Sequence, residues 1–315
     1  MTTSTLSNWT DDLPVIGKLA PLAAASKLRE LGEDELADQL EVGRLPATTE
    51  MATYGKSLHE FWPFKTRAWQ HTSHVFGYLS PTLSQEKTVA IRHAGTIDSD
   101  PTLKNSRIKI TLDRLRVADY PGSGTHRVLF DFYAQNQVRH EVQHVHFNAS
   151  YRIREGEQAG IAGYPIFVGL KVGGEGVAFR CFTVNVKNDS DEAYLDVLES
   201  DVFKAGLKLS AMAQPAIAPL SSLAVGVTKC IARRNRNVPV QDFYLGLDFT
   251  QISTRARLAE GSYIAVQVPE LMESVWDWDE WAYSPNKGQI VSRSNSSDLI
   301  PYNYVIFSVS RYVDR

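Results

Sequence analysis

The pattern of apolar residues changes at residue 107, and this change limits the folds that the chain can adopt. From residue 107 to 112 apolar and polar residues alternate strictly, and the apolar phase then shifts to Leu115 and Val117. A period of two is typical of β-strands with one buried face. A phase shift inside such a strand indicates a β-bulge, which we place near Asp113-Arg114. The chain from residue 107 onward therefore predicts β-sheets.

Further alternating segments follow, separated by turn-forming residues. Eight or nine strands are predicted, and after the first they cover residues 128–132, 143–153, 165–172, 177–186, 240–249, 262–268 and 302–312, with a weaker one near 289–293. Such strands favour an antiparallel sandwich or barrel. At the level of fold alone, a sandwich with a bulged first strand is analogous to C2-like and jelly-roll-like modules. No sequence motif accompanies this analogy, and we find no family motif.

The region before the strands, residues 1–95, has a helical pattern. Leu22, Ala25, Leu28 and Leu31 follow one another at helical spacing, and the next residue is a glycine suited to end a helix. The predicted fold class is therefore α+β, with a helical N-terminal region followed by a mainly antiparallel β-sandwich.

Three more helices are predicted in this region, over residues 33–41, 49–58 and 80–94, with Thr49 as the N-cap of the second. His71 and His74 lie three residues apart and would share a helical face, where we interpret them as surface or core histidines. Residues 96–106 are rich in turn formers and are predicted to be a linker to the sandwich domain, residues 107–315.

A helical segment is predicted to interrupt the strands at residues 190–233. Apolar residues at helical spacing run from Leu195 to Met212 and resume at Leu220, and Pro215 and Pro219 lie between the two runs. Because proline cannot continue a helix interior, the pattern favours a helical hairpin over residues 195–232 that packs on a sheet.

The same hairpin leaves a membrane-inserting role open. Residues 209–228 carry no formal charge, and this length is enough to cross a bilayer. Serine, glutamine and two prolines within the segment argue against insertion.

Charge and cysteine content limit the possible partners and the compartment. The 315 residues have a net charge of −3, which gives no general attraction to nucleic acid, so a nucleic-acid partner is not expected. The two cysteines, Cys181 and Cys230, do not form a disulfide framework, which indicates a reducing compartment. The first residues lack the pattern of a signal peptide, and a cytoplasmic location is expected.

Two histidines on a predicted strand are candidate ligands for a transition metal. His144, His146 and Asn148 lie on one face, and the apolar residues Val145 and Phe147 lie on the other. An i, i+2 histidine pair binds zinc or iron when a neighbouring strand supplies a third ligand. The alternative is a polar outer face exposed to solvent, which we favour because the apolar face is the one expected to be buried.

An acidic cluster is a candidate calcium site. Asp189, Asp191 and Glu192 follow a predicted strand, and loop carboxylates of this kind bind Ca²⁺ when several converge. The alternative, which we favour, is that Asp189 or Ser190 caps the first helix of the hairpin and Glu192 lies in its first turn.

Arginines 233, 234 and 236 form the densest basic run of the chain. Arg233, Arg234 and Arg236 are candidates to bind a phosphate or an anionic surface. They also follow a predicted helix C-terminus, where the helix dipole stabilises cations without any ligand.

Two tryptophans are candidates to bind a sugar or a basic partner. Trp276 and Trp278 alternate with aspartates and would share one face of a strand, whereas in a helix Trp278 and Trp281 would share a face instead. Buried tryptophans with outward aspartates are the commoner arrangement.

No nucleophile and base pair, cofactor fingerprint or strong metal motif is recognisable in the sequence. The glycines of residues 172–177 lie between two predicted strands and are predicted to form a hairpin turn rather than a phosphate loop. We therefore expect a non-catalytic interaction module that recognises a protein partner, a ligand or a surface, and we predict no cofactor. The alternatives are a membrane-binding effector that uses the hairpin and a metal-dependent enzyme that uses His144 and His146.

Overall fold

The computed structural model describes residues 12–42, 67–81, 87–138, 141–161, 163–191, 194–196, 226–250 and 256–313. In these residues the longer helical segments are α1 (Pro21–Glu30), α2 (Asp34–Glu41), α3 (226–232) and α4 (Glu270–Glu273), and residues 194–196, at the start of the predicted hairpin, are helical as well. The strands are β1 (Ser73–Leu79), β2 (Val89–Ala90), β3 (Arg92–His93), β4 (Arg107–Arg116), β5 (Thr125–Val138), β6 (Glu141–Arg154), β7 (Tyr164–Lys171), β8 (Gly176–Val186), β9 (Val238–Asp248), β10 (Ala256–Arg257), β11 (Gly261–Val268), β12 (Trp281–Ser284), β13 (Gln289–Ser292) and β14 (Tyr304–Arg311).

The described strands form three sheets. The largest has the order β3-β1-β11-β14-β4-β7, the second has the order β10-β9-β8-β5-β6, and the smallest has the order β13-β12-β2. Their neighbouring strands are antiparallel, except that β10 pairs with β9 in parallel. The protein is thus mostly antiparallel β-structure with a few helices.

The two larger sheets face each other across an aromatic core. Phe132 of β5 and Phe179 of β8 contact Phe307 of β14, with ring centroids 5.3 and 5.8 Å apart. All three side chains are fully buried. These contacts join the inner faces of the five- and six-stranded sheets, which is the packing expected of a β-sandwich.

The bulge predicted in the first alternating strand is confirmed. Along the pairing of β14 with β4, Ile306 lies opposite Arg114 and the next residue, Phe307, lies opposite Leu112. Asp113 is the extra residue, and its carboxylate accepts a hydrogen bond from the hydroxyl of Ser308. The eight later strands predicted from the sequence are confirmed as β5, β6, β7, β8, β9, β11, β13 and β14.

The helical prediction for residues 1–95 is right for α1 and α2 and wrong for the described residues after residue 70, and its helix over residues 49–58 lies outside the described residues. Residues 73–79 were predicted to be helical, with His71 and His74 on one helical face. They form the strand β1, which pairs with β11. Val75 and Leu79 pack against the smallest sheet, and Phe76 and Tyr78 pack into the sandwich core. A strand buried on both faces does not alternate, so its period gives no signal.

Two further predictions need correction. The last helix predicted over residues 80–94 is wrong for its described end, where β2 and β3 lie. Residues 172–177 do not form a hairpin turn, because β7 lies in the six-stranded sheet and β8 in the five-stranded sheet. These residues carry the chain from one sheet to the other. Residues 197–225, most of the predicted hairpin, lie outside the described part of the chain.

Candidate binding groove

A groove opens between the sheets where β1 and β9 face each other. Its cavity has a volume of about 470 Å³, which is in the size range of ligand sites. Residues from four separate parts of the chain line it: Lys18, Thr72, Ser73, His74, Phe76, Asp242, Phe243, Tyr244, Gly246, Glu270 and Glu273.

The floor of the groove is made of rings from both sheets. Phe243 of β9 contacts His74 and Phe76 of β1, with ring centroids 4.8 and 5.9 Å apart. These three side chains are buried. They fix the separation of the two strands and close the groove from the sandwich core.

One wall of the groove is the backbone edge of β9. The carbonyl of Asp248 accepts a hydrogen bond from the N–H of Leu258, so its backbone groups point away from β8. Because successive residues of a strand point their backbone groups in opposite directions, those of Asp242, Tyr244 and Gly246 also point away from β8. Among the described strands, only β10 pairs on this side of β9, and it reaches no further than Leu247.

The opposite wall is the edge of β1. The carbonyl of Phe76 accepts a hydrogen bond from the N–H of Ala94 on the side away from β11. By the same alternation, the backbone N–H and C=O of His74 point to that side. In the described residues β3 pairs with β1 only at Gly77 and Tyr78, which leaves the first part of this edge facing the groove.

Charged side chains line the rim of the groove. Asp242 forms a two-point ion pair with Arg180 of β8 at 2.8 and 2.9 Å. Glu270, at the start of α4, accepts a hydrogen bond from the hydroxyl of Thr72 at 2.6 Å. Planar two-point pairs are among the strongest hydrogen bonds, so Asp242 and Arg180 are held in place.

A polar row extends from the groove across the outer face of the five-stranded sheet. Tyr133 lies between His146 on β6 and Arg180 on β8, and Tyr244 lies beyond Arg180. The rings of Tyr133 and His146 are 4.5 Å apart. Burial, together with the nearby phenol of Tyr244, raises the pKa of Tyr133, so its hydroxyl stays protonated at neutral pH.

The prediction that His146 and Asn148 face solvent is wrong. Both are buried, with Nδ1 of His146 3.4 Å from the carboxylate of Asp131 on β5. The side chain of Asn148 donates to Asp131 at 3.1 Å and to the hydroxyl of Thr228 at 2.6 Å, and this hydroxyl donates to Asp131 at 2.8 Å. Helix α3 therefore covers this face and contributes Thr228 to a closed set of hydrogen bonds.

The metal prediction for the two histidines stays a prediction. His144 lies on β6, but its side chain is not among those that the structure describes. Within the described part of the chain, no three histidine, cysteine or acidic side chains are grouped so as to hold a metal ion. Cys181 is buried and Cys230 is exposed, and both are free thiols.

The predicted acidic and basic sites bind each other. Asp191 is fully buried and forms an ion pair with Arg234. Its second carboxylate oxygen accepts a hydrogen bond from Asn237. Exposed Asp189 lies 3.5 Å from Arg236. These pairs join the two ends of the predicted insertion, and we call them the neck.

The remaining residues of these two predicted sites have other roles or lie outside the description. Arg233 forms an ion pair with Asp12 near the start of the described chain. Glu192 lies outside the described residues. The predicted cap at Asp189 or Ser190 stays a prediction, because residues 192–193, at the predicted helix start, lie outside the described residues. Both the calcium and the anion-binding roles stay predictions.

The two tryptophans lie in an aromatic cluster over the smallest sheet. Trp276 and Trp278 contact each other with centroids 5.5 Å apart, and Trp276 stacks on Trp281. Trp278 is buried, Trp276 is half-buried, and the neighbouring aspartates are exposed. They do not share a strand face, because residues 278–280 form a single turn of helix. A binding role for them stays a prediction.

The residues of the groove were missed by the sequence analysis. They come from distant segments, and none belongs to a motif. One signal was present: Tyr244 occupies an outward position of a strand whose inward positions are apolar, and this aromatic side chain is 57% exposed.

Comparisons with known proteins provide no further constraint on the function. No protein-family model, curated protein or solved structure matches the chain. Over the described residues, no helix combines the length and apolar character needed to cross a bilayer.

Proposed function

We propose that this protein is a non-catalytic binding module that takes up an extended segment of a partner protein as an additional strand along β9. The observation that carries the proposal is the cavity of about 470 Å³ beside β9. The outward backbone groups of Asp242, Tyr244 and Gly246 border this cavity. Strand addition of this kind uses main-chain hydrogen bonds for affinity and pockets for alternate side chains for specificity.

The part of the β9 edge that borders the groove lacks, among the described residues, the features that protect an ordinary solvent-exposed edge, and this supports the proposal. Proteins commonly protect an open strand edge with proline, a bulge or a covering segment. In β9, Pro239 and the register shift lie at its start, before the part that lines the groove. The two residues at its end pair with β10. An added strand would pair with the part of the β9 edge that precedes Leu247, in line with β10.

The finer classification of the fold also remains a proposal. We infer a C2-like or jelly-roll-like sandwich, and two facing antiparallel sheets with a bulged strand, β4, support this inference. Fold alone does not define function.

Proline at position 244 is expected to abolish strand addition while the fold persists. Tyr244→Pro removes an N–H that points into the groove and is not bonded to β8, and proline is tolerated at such edge positions. Random peptides displayed on phage are selected against the intact protein, and synthetic copies of the winners are titrated. We expect their affinity for Tyr244→Pro to fall by about tenfold or more, since each lost hydrogen bond contributes about 1 kcal/mol and the ring also obstructs the strand.

The matched control is Tyr244→Ala, which removes the side chain and keeps the N–H. We expect the alanine variant to bind more tightly than the proline variant, and circular dichroism to show both folded. If no peptide is enriched, or if the selected peptides bind Tyr244→Pro as they bind the parent, the proposed function is wrong.

A further inference from the structure

A buried side chain joins the two walls of the groove at one end. The amide of Gln267, on β11, donates to the carbonyl of His71, just ahead of β1, at 2.7 Å and to the carbonyl of Val240 in β9 at 3.0 Å. Gln267 and Val240 are fully buried. A partner strand therefore cannot reach the carbonyl of Val240, and Pro239 before it has no N–H to offer.

A second buried amide holds Gln267 in place. The side chain of Asn303 donates to the side-chain oxygen of Gln267 at 2.9 Å and to the carbonyl of Asp119 at 3.1 Å. Its own oxygen accepts the N–H groups of Ala118 and Asp119 at 2.8 and 3.1 Å. Both N–H groups of each amide are thus used, which fixes the orientation of Gln267.

Backbone hydrogen bonds join the walls at the other end. The N–H of Ala94 donates to the carbonyl of Phe76 in β1 at 3.0 Å, and the carbonyl of Ala94 accepts from the N–H of Arg257 at 3.0 Å. The next N–H along the chain, that of Leu258, donates to the carbonyl of Asp248 in β9 at 2.9 Å. The main chain therefore closes the groove at this end.

The accessible part of β9 between these two ends is short. Asp242, Tyr244 and Gly246 are partly or fully exposed, whereas residues 238–241 are buried. The distance from residue 242 to residue 246 is about 13 Å at about 3.3 Å per residue. Only these three residues direct their backbone groups into the open stretch, so an added strand bonds to alternate positions over a span of about five residues.

We propose that the groove is a slot closed at both ends, and that the partner presents about five extended residues in a short linear segment whose chain turns away on both sides. This inference rests on the proposed function, because it specifies the segment that pairs with β9. The edge of a long strand does not fit between the ends. The same geometry disfavours pairing with β9 of a second copy, because that strand is 11 residues long.

Shortening the selected peptides tests the length of the slot. Peptides that bind the intact protein and lose affinity for Tyr244→Pro are truncated one residue at a time from each end and titrated. We expect removal of residues outside a core of about five to change the Kd less than about twofold. N–H groups of the core that face β9 should be sensitive to N-methylation, which removes one hydrogen bond and should weaken binding about fivefold at no more than about three alternate positions.

Two constructs with the same core test the closed ends. In one the core is flanked by Pro-Gly on both sides, and in the other it lies in the middle of a cyclic β-hairpin whose strands have the length of β9. We expect the first to bind within about twofold of the selected peptide and the second to bind about tenfold more weakly or worse, since its strand continues into both ends.

Two results would overturn the slot and leave the proposed function standing. They are affinity that keeps rising beyond about seven paired residues, and equal affinity for the hairpin and the flanked core, both with peptides that need the N–H of Tyr244. Peptides that bind Tyr244→Pro as they bind the parent would instead overturn the proposed function itself.

Discussion

Replacing Asp191 by alanine is expected to lower the free energy of unfolding by about 3 kcal/mol. The carboxylate is fully buried, and it binds the guanidinium of Arg234 and the side-chain amide of Asn237. Its loss removes the acceptor of the guanidinium and one of the two acceptors of the Asn237 amide, which is fully buried and keeps only its bond to the carbonyl of Ile231. Because Arg234 is partly exposed, water offsets some of the cost for the guanidinium. Urea unfolding of the parent and the variant measures the difference.

Asp189→Ala is the matched control for this prediction. The two aspartates are two residues apart and each faces an arginine, but the side chain of Asp189 is 93% exposed. An exposed pair of this kind contributes about 0–1 kcal/mol. Equal losses of unfolding free energy for the two variants would contradict the view that buried Asp191 contributes most of the stability of the neck.

Asp131→Ala is expected to disrupt a second buried network and to lower the free energy of unfolding of the protein by about 3 kcal/mol. The carboxylate accepts hydrogen bonds from Asn148 and Thr228 and lies beside His146, all within a buried site. Truncation removes the acceptor of the Thr228 hydroxyl and one of the two acceptors of the Asn148 amide inside the protein. The unfolding free energy from urea titration is again the quantity to compare.

Thr228→Val measures the contribution that α3 makes to this network. It removes only the hydroxyl that α3 contributes, so we expect a loss of about 1–2 kcal/mol. Trypsin cleavage after Lys229 should also become faster in this variant if the hydroxyl holds α3 on the sheet. A variant of Asp131 or Thr228 with the stability of the parent would show that α3 is held by its apolar contacts alone.

Strands such as β4 and β9 were predictable because each has a buried apolar face opposite a more exposed, polar one. Even the bulge at Asp113 was visible, since an extra residue shifts the apolar phase by one. β1 was not predictable in this way. It lies between the sandwich core and the smallest sheet, so both of its faces are apolar and no period remains.

The buried polar face of β6 shows a second limit of pattern analysis. Histidine and asparagine on alternate positions are typical of a solvent-facing strand, and here a helix covers them. Thr228, from a distant segment, completes the hydrogen bonds that make burial possible. A pattern within one strand contains no information about such a partner.

The neck and the groove were also beyond the reach of local patterns. The acidic run at 189–192 and the basic run at 233–236 were each interpreted as a separate site, and pairing between them became visible only when the strands on either side were placed. The groove combines residues as distant as Lys18, Thr72, Asp242 and Glu270. Only their position between two sheet edges relates them.

Amide hydrogen exchange along β9 tests the central claim, that this edge is open and takes up a strand, most directly. In the free protein the amides of Phe243 and Leu245, which face β8, should be protected, and those of Asp242, Tyr244 and Gly246 should exchange rapidly. A selected peptide should protect the second set. Equal protection of both sets in the free protein, or no change on peptide binding, would contradict the account.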